Sequence, residues 1–131
     1  MRTFVKVDGD LPAEFGLTQV VAALPRKTAA GLLEAYRNAI NGCPDREAGA
    51  GTEVRVLRAQ DDGDESFTAW HLSTRLPGER IVEYSVALLR SGTAVSQLVF
   101  VSAPGARMSD AQFVTLTERA MSRLPQLPDY D

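Results

Sequence analysis

The sequence predicts an α+β fold, in which an antiparallel, curved sheet of four strands or slightly more packs against two main helices. Three observations carry this prediction. Two segments, 27–41 and 109–124, repeat their apolar residues at the 3.6-residue period of an amphipathic helix. Between them the period changes to two, as in half-buried strands. The connections within that strand region are short and rich in Gly, Asp and Pro, so successive strands should pair as antiparallel hairpins.

In chain order, residues 3–7 read as a short strand. Asp8-Gly9-Asp10 marks a turn, and an irregular lead-in runs from Leu11-Pro12 to Gly16. The apolar run 20–24 ends at Pro25 and is too short for a helix, so it reads as extended. In the first helix Ala29, Leu32, Leu33, Tyr36, Ala39 and Ile40 share an arc of about 120°. Thr28 is the expected N-cap, because its hydroxyl can accept from an orphan amide of the first turn. Gly42 and Pro44 close the helix. Cys43 falls near the apolar arc and reads as a buried thiol. A Gly/Ala-rich loop occupies 45–52.

Strands follow at 53–59, 66–75, 81–90 and 94–102. Asp61-Asp62-Gly63-Asp64 is an acidic turn, Pro77-Gly78 suits a type II turn, and Ser91-Gly92 suits a tight hairpin. Ser109 and Gln112 have the spacing of a capping box that opens the last helix. Phe113, Leu116, Thr117, Ala120, Met121 and Leu124 form its apolar face, and Glu118, Arg119, Ser122 and Arg123 are left to water. Pro125 stops the helix, and 125–131 should be a flexible tail. No repeat or linker divides the 131 residues, so they read as one domain.

Composition narrows the function classes. A net charge of −3 with no Lys/Arg cluster argues against a nucleic-acid backbone and against a polybasic membrane patch. No stretch reads as a signal peptide or a membrane span, and the lone Cys43 has no partner for an internal disulfide. The expected setting is therefore cytoplasmic and reducing.

Neither a metal nor a nucleotide cofactor is expected. The acidic run 61–65 lacks the spaced oxygen ligands of a calcium loop and reads as a solvated hairpin turn. His71 is the only histidine, and with Cys43 it cannot supply a usual zinc set. It points opposite to Trp70 and Leu72 and reads as an exposed strand residue ahead of a general base. Gly49-Ala50-Gly51 does not lead from a strand into a helix, so it is no phosphate cradle.

The strands are apolar on both faces. Thr68, Trp70 and Leu72 share one side of their strand; Val82, Tyr84, Val86 and Leu88 share one side of the next; Val95, Gln97, Val99 and Val101 alternate with Leu98 and Phe100 in the last. One face should meet the helices. The other then needs a second layer, a partner subunit or a ligand, because wide apolar patches are unusual on monomers. Each residue alone reads as core. Polar-tipped Trp70, Tyr84 and Gln97 together raise the case for a ligand pocket.

The order of these motifs resembles the actinobacterial sensor-domain family, typified by the extracellular domain of PknH-like kinases and related lipoproteins. The similar features are Leu11-Pro12 with Phe15-Gly16, the helix Ala29-Ala30-Gly31-Leu32-Leu33 closing at Asn41-Gly42-Cys43-Pro44, and Gly63-Asp64-Glu65-Ser66 before the Trp70 strand. Val86-Ala87-Leu88-Leu89-Arg90 and the ending Arg119-Ala120-Met121-Ser122-Arg123-Leu124 complete them. The resemblance implies ligand binding in a cleft against the sheet. The family is secreted or anchored and usually disulfide-bonded, whereas this sequence reads as the same scaffold in a reducing compartment.

Two functions are expected from these readings. The first is a cofactor-independent cyclase of secondary metabolism, folding a polyketide-like substrate in an apolar pocket where orientation supplies the rate. Trp70, Leu72, Tyr84, Val86 and Gln97 are its expected lining, with Tyr84 and Gln97 able to hydrogen-bond a carbonyl or hydroxyl. The second is a non-catalytic carrier or sensor-like domain for an apolar small molecule. A homodimer is compatible with both.

Overall fold

The structure, a computed structural model, describes residues 2–4, 16–42, 52–76, 78, 80–102 and 107–127. It is an α+β fold with one antiparallel sheet and two helices. The strands are β1 (Arg2–Phe4), β2 (Gly16–Ala23), β3 (Thr52–Asp62), β4 (Glu65–Leu76), β5 (Arg80–Ser91) and β6 (Ala94–Val101). They lie in the order β1-β2-β6-β5-β4-β3. The expected four-stranded meander is β3 to β6. The two early extended segments enlarge it to six strands, because β2 pairs along its whole length with β6, from Gly16↔Val101 to Ala23↔Ala94.

The helices are α1 (Arg26–Asn41) and α2 (Asp110–Arg123). The expectation that one face meets both helices is corrected. Ala29 and Leu33 of α1 pack with Trp70, Val86, Leu88 and Val95 on one face. Phe113 of α2 packs with Phe67, Ala69, Ala87, Leu89, Leu98 and Phe100 on the other. Consecutive strand residues point to opposite sides, so a sheet covered on both faces must be apolar at odd and even positions alike. That is the double apolar pattern of the sequence, and no second subunit is needed to account for it.

The helix ends show which signals were decisive. Thr28 is not the N-cap of α1. Pro25 occupies that position with φ −51° and ψ 140°, and its carbonyl accepts from Ala29 N at 2.9 Å. Proline's fixed φ starts the helix one turn before Thr28 can act. Gly42 is the C-cap, and Cys43, Pro44 and the Gly49-Ala50-Gly51 loop lie outside the described residues. In α2 the capping box is present, with Ser109 Oγ accepting from Gln112 N at 3.1 Å and Gln112 Oε1 from Ser109 N at 2.9 Å. The expected tail begins instead as a 3-10 turn, Leu124–Gln126, whose Leu124 is buried. Residues 128–131 lie outside the description.

Two hairpin turns meet at one end of the sheet. Gly63-Asp64 joins β3 to β4, and Gly92-Thr93 joins β5 to β6, so the second turn is centred one residue later than the sequence implied. Gly63 and Gly92 adopt φ 77° and 61°, the left-handed values that favour glycine. Arg90, only 6% exposed, ties the turns together. Its Nε donates to Gly92 O and its Nη1 to Gly63 O, both at 3.1 Å. The acidic run is therefore engaged internally: Asp64 faces Arg26 and Arg90, and Asp61 faces Arg37.

Candidate functional site

The residues expected to line a pocket share one face, the α1 face. Trp70↔Val86 and Leu72↔Tyr84 are direct cross-strand partners, and Gln97 pairs with Leu88 one strand further on. Trp70 is fully buried, and its Nε1 donates to Asn41 Oδ1 at 2.9 Å. Val86 is buried, while Leu72, Tyr84 and Gln97 are half-buried. The register thus gathers these side chains. It does so beneath α1, and none of the five lines either of the hollows described next.

A groove of about 580 Å³ opens on the opposite face, between β2 and α2. That volume suits a small-molecule site. Leu17 and Val21 of β2, Leu98 of β6, Leu116 and Ala120 of α2, and Leu124 and Leu127 supply its apolar surface. Val21 and Leu127 are 43% and 41% exposed, high for side chains of that size. Gln19, Arg119 and Arg123 are the polar groups of the lining.

The groove exists because α2 sits off-centre. One flank of the helix is clamped to β3: Arg55 Nη2 donates to Asp110 Oδ2 at 2.6 Å, and Arg58 pairs with Glu118. Leu116, Arg119 and Arg123 lie on the other flank, which overhangs β2. The sequence reading left both arginines to water. Each is exposed, yet they stand one turn apart on the same flank, where like charges at i and i+4 destabilise a helix slightly. Arg26, Arg37, Arg55, Arg58, Arg90 and Arg107 all face carboxylates. Neither Arg119 nor Arg123 has such a partner among the described residues. The sequence carried this signal, since no acid lies three or four residues from either arginine.

Two other polar features lie on the α2 side of the sheet. His71 is half-buried, which corrects its expected exposure. Its Nδ1 lies 3.3 Å from Asp110 Oδ1 and its Nε2 lies 3.6 Å from Glu83 Oε1. The Nδ1 atom is buried without a hydrogen bond. Arg55 and Arg107 flank the same carboxylates, so the cluster is a mixed-charge network. No group of three or more His, Cys, Asp or Glu able to hold a metal occurs among the described residues. A hollow of about 110 Å³ beside Arg58, Phe67 and Glu118 is smaller and more crowded by charge.

No protein-family model matches the chain, and no curated protein matches it either. No helix among the described residues is long and apolar enough to cross a membrane.

Proposed function

We propose that this protein is a small-ligand-binding domain and that the groove between β2 and α2 receives the ligand. The observation that carries the reading is an open cleft of about 580 Å³ in which Leu, Val and Ala side chains sit beside Gln19, Arg119 and Arg123, a mixture that suits a ligand site. The motif order that resembles ligand-binding sensor domains points the same way. The cleft differs from the expected pocket in its face and its residues, because Trp70 and Val86 are enclosed by α1.

The chemistry of the lining favours binding over any reaction that needs acid–base catalysis. Among its described residues the lining holds no carboxylate, imidazole or thiol to exchange a proton with a substrate. A shape-driven cyclisation of a polyketide-like substrate would occupy the same groove and rely on orientation alone.

The reading is tested with the neutral apolar dye N-phenyl-1-naphthylamine. Saturable one-to-one binding is expected, and Ala120→Trp, which places an indole in the groove, should abolish it while circular dichroism stays unchanged. Dye binding that survives Ala120→Trp would remove the groove from the proposal. Incubation with linear polyketide intermediates, followed by mass analysis, separates a carrier from a cyclase: unchanged bound ligand identifies the carrier.

A further inference from the structure

We infer that the ligand of this groove is an amphipathic anion, whose acidic head lies between Arg119 and Arg123 and whose apolar tail lies along Leu98, Leu116 and Leu124. The inference rests on the binding reading above and adds the chemical class of the ligand.

The argument starts from charge. The described ion pairs engage Arg26, Arg37, Arg55, Arg58, Arg90 and Arg107 with carboxylates. Arg119 and Arg123 belong to none of these pairs and both line the groove. Two guanidinium groups one helical turn apart repel each other, no acid lies three or four residues from either, and the adjacent Glu118 is engaged by Arg58. A local rule broken without internal compensation points to a site whose compensation comes from outside. A carboxylate, sulfonate or phosphate head would supply it, since guanidinium presents planar, forked donors that match such oxyanions.

The tail follows from the rest of the lining. Apart from Gln19 and the two arginines, the groove is walled by Leu, Val and Ala. Gln19 donates to Ser96 Oγ at 3.3 Å, so its amide is already oriented by the sheet. A fully polar anion would leave the leucine walls wet, and a neutral hydrocarbon would leave the two charges unmatched. An anion with an apolar chain satisfies both.

The test uses three probes of equal chain length, octanoate, octan-1-ol and octylammonium, titrated into the whole protein and followed by chemical-shift perturbation. Octanoate is expected to bind at least about tenfold more tightly than octan-1-ol, and octylammonium more weakly than either. The double variant Arg119→Gln/Arg123→Gln should bring octanoate down to the affinity of octan-1-ol and leave octan-1-ol unchanged. Equal binding of octanoate and octan-1-ol by the wild type overturns the inference while the groove remains a binding site. A preference for octanoate that persists in the double variant overturns it as well. If none of the probes binds, the groove reading falls with it. Binding to phosphatidylglycerol vesicles without binding of monomeric octanoate also overturns it, because the recognised object would then be a membrane surface.

Discussion

The indole Nε1 of Trp70 donates to Oδ1 of Asn41, the last residue of α1, at 2.9 Å. The largest fully buried side chain of the sheet is thereby fastened to the end of the helix that covers it. Trp70 acts as the hinge pin of the α1 layer.

Trp70→Ala should destabilise the fold by about 3–5 kcal/mol, the usual cost of emptying a large core site. Asn41→Ala should cost about 1–2 kcal/mol, because it leaves a buried donor without its acceptor. Urea denaturation followed by far-ultraviolet circular dichroism measures both. If Asn41→Ala unfolds at the wild-type midpoint, the hydrogen bond does not hold α1 in place.

Arg90 joins two turns through the carbonyls of Gly63 and Gly92. Arg90→Met keeps much of the apolar stem but removes every donor, and should cost about 1–2 kcal/mol from the two lost hydrogen bonds. Asp64 pairs with the same guanidinium, but its side chain is 64% exposed. Asp64→Asn should therefore cost less than about 1 kcal/mol. Thermal melts that rank the two variants in the reverse order would show that the ion pair, and not the carbonyl bridge, holds the turns.

Among the described residues, the two edges of the sheet differ in charge. The β3 edge carries Glu53, Arg55, Arg58, Asp61 and Asp62 and a register shift between Val56 and Arg58, and such charges and bulges discourage edge-to-edge pairing. β2 has no charged residue, and among the described residues β1 pairs with Leu17, Thr18 and Gln19. Val20 and Val21 are 40% and 43% exposed on that strand. If the protein self-associates through this edge, Val20→Lys should lower that association in sedimentation velocity and leave stability within about 0.5 kcal/mol of the wild type. Equal sedimentation of both proteins would exclude this edge as a self-association contact.

Local physics made the elements legible. The alternation in β3 to β6 and the helical period in α1 and α2 depend on nearest neighbours, as does the Ser109–Gln112 box. The assembly depended on distant partners. Nothing in the run 20–24 says that β2 will lie beside β6, and that pairing makes one wall of the groove. The doubly apolar strands announced two covered faces without saying that each would receive one helix. The expected site chose the aromatic side of the sheet, where Trp70 turned out to serve packing. Arg119 and Arg123 looked like ordinary solvated charges until α2 was seen to overhang β2. His71 looked solitary for the same reason, since Glu83 and Asp110 reach it only through the fold.

The walls of the groove come from opposite ends of the described chain. Gln19 of β2 bonds Ser96 of β6 across 77 residues, and α2 follows later still. Closing so long a loop is slow compared with zipping the β3–β6 hairpins. The groove is accordingly complete only when β2 and α2 have both docked. A ligand that prefers the finished groove stabilises that closure in proportion to its saturation. Stabilisation by an added ligand would therefore report that both ends have met.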